Sequence, residues 1–185
     1  MQKLTAGQAA ELSALARQAI AANLAGAPLP DSKKFSSPQA VFVTLKKFGL
    51  LRGCIGTFAP QPLGRAIAEN AVSAAQDPRF PPVEQEELAH LRIEISILSD
   101  AVPLAYEDPD DLVKKISQSK PGLVLRSGRQ CATFLPQVWN DLPEPAAFLS
   151  RLCQKAGLSD DAWKKIPLEI STYTATIIQE LQRGE

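Results

Sequence analysis

Apolar and polar positions along this chain change period several times, and each change marks an element. Beyond Thr5, the residues Leu12, Leu15, Ala16, Ala19 and Ile20 recur at helical spacing, and Gln8 completes a capping-box pattern with Thr5. Residues 26–38 hold three prolines and the pair Lys33-Lys34, which predicts a loop. Val41, Val43 and Leu45 then alternate with Phe42, Thr44 and Lys46 at a period of two. A turn at Lys47-Phe48-Gly49 leads into residues 50–58, so a β-hairpin is predicted. The run from Gly56 through Pro60 to Pro62 is expected to break that strand, with Pro62 opening a helix whose buried stripe is Leu63, Ile67, Ala71 and Ala74.

Further along, the prolines of residues 77–83 exclude regular structure. A short helix is expected over residues 84–90. Ile93, Ile95 and Ile97 alternate with Glu94, Ser96 and Leu98, which predicts a strand with one apolar face. Leu112, Val113 and Ile116 mark a helix over 108–117, and residues 123–126 and 130–135 form a second hairpin around Ser127-Gly128. A helix over 146–156 ends at Gly157. A short helix carries Trp163, and residues 168–181 read as one strand through Ile170, Thr172, Thr174 and Thr176. Strands and helices mix without a βαβ rhythm, so the fold class expected is antiparallel α+β.

Composition narrows the function classes. The 185 residues are 45% hydrophobic and 22% charged, the make-up of a folded domain. Lys+Arg and Asp+Glu both number 20, so the basic excess of a phosphate-gripping protein is absent, which argues against nucleic acid as a partner. No apolar run approaches the roughly 20 residues of a membrane span, and the start at Met1 lacks a signal-peptide build. A cytoplasmic location is expected. Three cysteines, Cys54, Cys131 and Cys153, lie far apart, with His90 the one histidine, so neither a metal site nor a zinc spacing is expected. No glycine-rich phosphate loop is present, and no cofactor is expected.

The segment Leu51-Arg52-Gly53-Cys54-Ile55-Gly56 is unusual for a strand. Two glycines in six positions weaken it and mark close approach of backbone or ligand. Alternation places Leu51, Gly53 and Ile55 on one face and Arg52, Cys54 and Gly56 on the other. A guanidinium beside a thiol favours thiolate, which makes Cys54 a candidate nucleophile or redox thiol, against its reading as a small packing residue. Arg52 is a candidate anion anchor or a structural ion pair. Glu94 is a candidate proton-handling group, or simply the counter-ion of Arg52. Asp77 and Arg79 form a candidate polar cluster, or Asp77 caps a turn while Phe80 pins the loop. Gln137 and Trp139 follow a Leu-Pro turn and either contact a ligand or close a lobe. His90, Cys131 and Cys153 carry no catalytic expectation.

The same six residues resemble the hexapeptide signature of the AMMECR domain family, whose bacterial and archaeal members are called protein A of the AmmeMemoRadiSam system. Thr44-Leu45, Asp77-Pro78-Arg79-Phe80, Glu87-Leu88, Ile95-Ser96, Leu135-Pro136-Gln137-Val138 and Lys155-Ala156-Gly157-Leu158 also look like family positions, in family order, over residues 35–163. The resemblance implies a single domain of two lobes, each an antiparallel sheet with packed helices, the larger over about 1–104 with 160–185 and the smaller over about 105–159. It implies a cleft between the lobes, lined by the hexapeptide. Arg52, Gly53, Gly56, Thr57, Asp77, Arg79 and Gln137 are then the candidate ligand contacts. Memo-type and radical S-adenosylmethionine proteins are the partners the resemblance suggests, and no particular reaction follows from it. Two readings stay open: a binding or adaptor component, or an enzyme acting on a protein or small molecule through Cys54.

Overall fold

The computed structural model describes residues 4–180. They divide into two compact units, one taking in the described residues through Leu98 and again from Thr176, the other running Ser99–Ala175.

In the first unit, helix α1 (Ala6–Leu24) starts at the Thr5–Gln8 capping box and buries Leu12, Leu15, Ala16, Ala19 and Ile20. Strands β1 (Pro38–Lys47) and β2 (Leu50–Pro62) form the hairpin, followed by α2 (Leu63–Ala75), a 3-10 helix at Gln85–His90 and β3 (Leu91–Leu98). The last described strand, β8 (Ala175–Gln179), completes a sheet of order β2-β1-β3-β8, with β1 antiparallel to both neighbours. One face of this sheet carries Val41, Val43, Leu45, Ile93, Ile95 and Ile97, and with α1 and α2 it makes the core. Each such aliphatic side chain taken from water contributes roughly 1.5–3 kcal/mol. The alanines of α2 (Ala66, Ala71, Ala74, Ala75) let that helix lie close to β1 and β2.

The second unit holds β4 (Val102–Pro103), α3 (Pro109–Ser119), β5 (Gly122–Ser127), β6 (Gln130–Phe134), a 3-10 helix at Pro136–Asn140, α4 (Pro145–Lys155), α5 (Ala162–Lys165) and β7 (Glu169–Tyr173). Its antiparallel sheet has the order β4-β7-β5-β6. The core gathers Leu112, Ile116, Leu123, Leu125, Leu149, Leu152 and Phe148, and the Trp139 and Phe148 rings stack with centroids 3.9 Å apart. The expected α+β class with antiparallel sheets is what the chain adopts.

Three local expectations change. Strand β2 does not break at Gly56 but runs to Pro62, because a register shift between Gln39 and Val41 absorbs the irregular stretch. The strand expected over 168–181 divides at Thr174 into β7 and β8, which join different sheets; Leu181 lies outside the described residues. Period-two alternation cannot reveal a sheet change, because both halves keep it. The loop over 77–83 is pinned to the core by Val83, 4% exposed, rather than by the half-buried Phe80.

Candidate functional site

Strand β2 lies at the edge of its sheet, so half of its backbone groups face away from β1. At Cys54 those groups are taken by side chains. The Cys54 N–H donates to Asp77 Oδ2 at 2.8 Å, and Arg79 Nη2 donates to the Cys54 carbonyl at 3.2 Å. Asp77 and Arg79 bond each other through Nε–Oδ1 at 3.0 Å and Nη2–Oδ2 at 2.6 Å, and the Arg79 backbone N–H donates to Oδ1 at 3.1 Å. Together the pair stands in for a neighbouring strand. The sequence left the polar cluster and the turn cap as alternatives for Asp77; the geometry combines both. Its carboxylate is only 1% exposed. Burial alone would push its pKa up, but the Arg79 guanidinium, with help from the Cys54 and Arg79 backbone N–H groups, holds it far below the usual carboxylate range.

Gly53 sits on the core face, where a β-carbon would overlap the Ala74 carbonyl oxygen of α2. Gly56 lies on the other face beneath the Phe42 ring, and a β-carbon there would overlap both that ring and the Val41 carbonyl. Phe42 meets Phe58 edge-on, with centroids 5.0 Å apart. Both glycines are therefore demanded by close packing. Thr57 turns its hydroxyl to the Ala59 N–H at 3.0 Å, a local turn contact.

Arg52 departs most from simple alternation. Leu45 pairs with Gly53 and Lys46 with Leu51, so Arg52 is the extra residue of a β-bulge and is not carried in regular register with Cys54. Its guanidinium grips Glu87 bidentately, Nε–Oε1 at 3.0 Å and Nη2–Oε2 at 2.8 Å, and reaches the Pro82 carbonyl at 3.2 Å. Lys47 adds a bond to Glu87 Oε1 at 2.8 Å. The Arg52 guanidinium first, then the Lys47 ammonium, lowers the Glu87 pKa to about 2. The counter-ion of Arg52 is thus Glu87, not Glu94. In the sequence Glu87 stands out only as a family position; the Glu84–Glu87 capping-box spacing is the further local signal that it is held.

On the face away from α1 and α2, Cys54, Thr44 and Glu94 form one cross-strand rung, with Thr44 in the middle. Two strand spacings separate Cys54 from Glu94, roughly 10 Å between backbones. The Thr44 hydroxyl donates to the Cys54 sulfur at 3.2 Å. Glu94 accepts from Lys46 Nζ at 3.2 Å and from Gln179 Nε2 at 3.3 Å. The structure thus brings Cys54 and Glu94 to one face, brings Asp77 and Arg79 to the Cys54 backbone, and sends Arg52 elsewhere. Thr44 belongs to the site and was recognised in sequence only as a family position.

Gln137 lies in the second unit, on the 3-10 helix Pro136–Asn140. His90 is exposed with its ring beside Phe48, Cys131 is exposed and Cys153 is fully buried. Among the described residues, no group of His, Cys, Asp and Glu is placed to hold a metal ion, and no helix is long and apolar enough to cross a membrane.

The AMMECR1 family model matches residues 13–178. A protein of Methanopyrus kandleri is 37% identical over 193 residues, covering 97% of this chain and 91% of its own. One from Methanosarcina mazei is 40% identical over 163 residues, covering 83% and 80%. The crystal structure of an uncharacterized protein from Pyrococcus horikoshii superposes with a TM-score of 0.81 at 32% identity, over 91% of this chain and 89% of that one.

Proposed function

The chain belongs to the AMMECR1 family, and on that premise we propose that it acts by binding, as an adaptor whose contact surface includes the hexapeptide strand. One observation carries this reading. The two carboxylates nearest the hexapeptide, Asp77 and Glu87, are locked as ions by guanidinium partners and by the backbone they brace. Their oxygens are committed to guanidinium, ammonium and backbone N–H donors, so these residues serve as framework. What they hold in place is an edge strand whose half-buried thiol lies, with the Thr44 hydroxyl and the Phe42–Phe58 pair, on the sheet face away from α1 and α2.

The partners in this reading are Memo-type and radical S-adenosylmethionine proteins, in the cytoplasm. Sedimentation of the purified chain with each of them tests it. A complex that weakens when Arg52→Ala releases Glu87 is expected. The absence of any complex at tens of micromolar would overturn the adaptor role.

A second reading has its own observation. The Thr44 hydroxyl donates to the half-buried Cys54 sulfur at 3.2 Å, which fixes the orientation that a nucleophile or redox thiol would use. An enzyme acting on a protein or small molecule through Cys54 would then alkylate with iodoacetamide faster at Cys54 than at the exposed Cys131. The adaptor reading expects the reverse order, and expects Cys54→Ser to keep its partner.

A further inference from the structure

The tip of the β1–β2 hairpin presents Phe48, Leu50 and Leu51 to solvent, 77%, 74% and 46% exposed. Phe48 has φ 52° and Gly49 φ 83°, the left-handed pair of a tight hairpin turn. Glycine or asparagine takes that first position at little cost; a bulky aromatic there is a conformational outlier. The ring gains little in exchange from the fold: it stays 77% exposed, beside the exposed His90 ring at 5.4 Å between centroids and the Lys47 ammonium at 5.9 Å. Strain and exposure coincide at the residues that open the hexapeptide strand.

We infer that this tip is a preformed apolar knob that docks into a concave apolar pocket on a partner protein, with Phe48 as its anchor. The inference rests on the adaptor reading and gives it a surface. Charge decides against other occupants. The cations beside the tip already have partners, Lys46 in Glu94 and Lys47 with Arg52 in Glu87, and Arg92, opposite Lys46 on β3, is engaged as well, while Glu84 and Glu86 add negative charge alongside. An anionic lipid surface or a nucleic acid needs free cations, and this flank offers no surplus. Area decides against a second copy. Three partly exposed side chains offer on the order of 350 Å², short of the about 800 Å² per partner that a stable dimer buries, and two convex tips cannot enclose each other, so the knob fits a transient contact in which the partner supplies the concave surface. A rigid knob entering a pocket loses little conformational freedom, which suits a small anchor.

A photoreactive benzophenone side chain placed at position 48 of the full chain, irradiated in cells, tests the assignment. A defined protein adduct is expected. That protein, purified, should bind the wild-type chain with less than a twofold change in affinity between 50 and 500 mM salt, and should bind Phe48→Gly at least tenfold more weakly. Glycine suits the left-handed turn, so Phe48→Gly should keep or raise the melting temperature, and loss of binding then cannot be ascribed to unfolding. Adducts only with lipid, only with a second copy, or no adduct at all overturn the knob. If the partner binds Phe48→Gly as tightly as wild type, the knob assignment falls while the adaptor reading stands.

Discussion

The two hairpins of this protein follow different rules. In β5–β6 the register runs without a shift from Leu123–Phe134 to Ser127–Gln130, the turn at Gly128 opens into empty space, and Leu123, Leu125 and Ala132 face a core capped by α4. In β1–β2 the register slips twice, two glycines are held by close contacts, an arginine bulges out, and the tip is apolar and strained. The second hairpin is built as sheet structure requires. The first carries irregularities that each need a tertiary partner: α2 for Gly53, Phe42 for Gly56, Glu87 for Arg52, and Asp77 with Arg79 for the exposed backbone of Cys54. Departures from local consistency of this kind concentrate where a protein meets something else.

The contrast can be broken most sharply at the glycines. Gly53→Val should cost more than about 3 kcal/mol, because the new carbons meet a backbone carbonyl that cannot move aside; Gly128→Ala should cost only about 1 kcal/mol, the conformational penalty of a left-handed residue in open space. Urea denaturation of the pair gives the comparison, and equal costs would erase it. Next in size, Asp77→Ala should lose about 2–3 kcal/mol, since it strips the bonds of Arg79 and of the Cys54 N–H together. An Arg129→Ala change at the second hairpin's tip should stay within about 0.5 kcal/mol.

Acid should find the first hairpin before the second. The folded pKa of Glu87 is depressed, so its stabilisation is present above the ordinary carboxylate range and is lost as pH falls from about 4.5 to about 2. Asp77, depressed further still, extends the loss to lower pH. The melting temperature should therefore drop through this window. Glu87→Gln should flatten the upper part of the drop while lowering the neutral-pH melting temperature by about 5 °C. A variant whose acid profile matches wild type would show that the Arg52–Glu87 pair contributes nothing. The smallest effect concerns chemistry: Cys54 should alkylate more slowly than Cys131, by a factor that unfolding in urea abolishes.

Much of the fold could be read from the pattern of the chain. The capping box at Thr5, the period of two in β1 and β3, Pro62 and the buried stripe of α2, and the Gly157 that ends α4 are local signals, and each of these elements formed where its signal lay. The site was legible to the level of the segment. Gly53 and Gly56 advertised close approach, and close approach is what they make. Partnership was not legible. Arg52 was matched to Glu94 because strict alternation put both on one face, and a single extra residue in the register sent it to Glu87 on a separate helix.

Amino-acid sequence alone determined where most helices and strands lie and which face of each is apolar, because hydrophobic period, caps and proline are properties of neighbours along the chain. Tertiary structure alone decided which carboxylate meets which guanidinium, where β2 bulges, that residues 168–181 divide between two sheets, and that the Cys54 backbone is braced by Asp77 and Arg79. Those outcomes depend on groups separated by tens of residues, whose meeting is set by packing and by the need to satisfy buried charge and edge-strand hydrogen bonds.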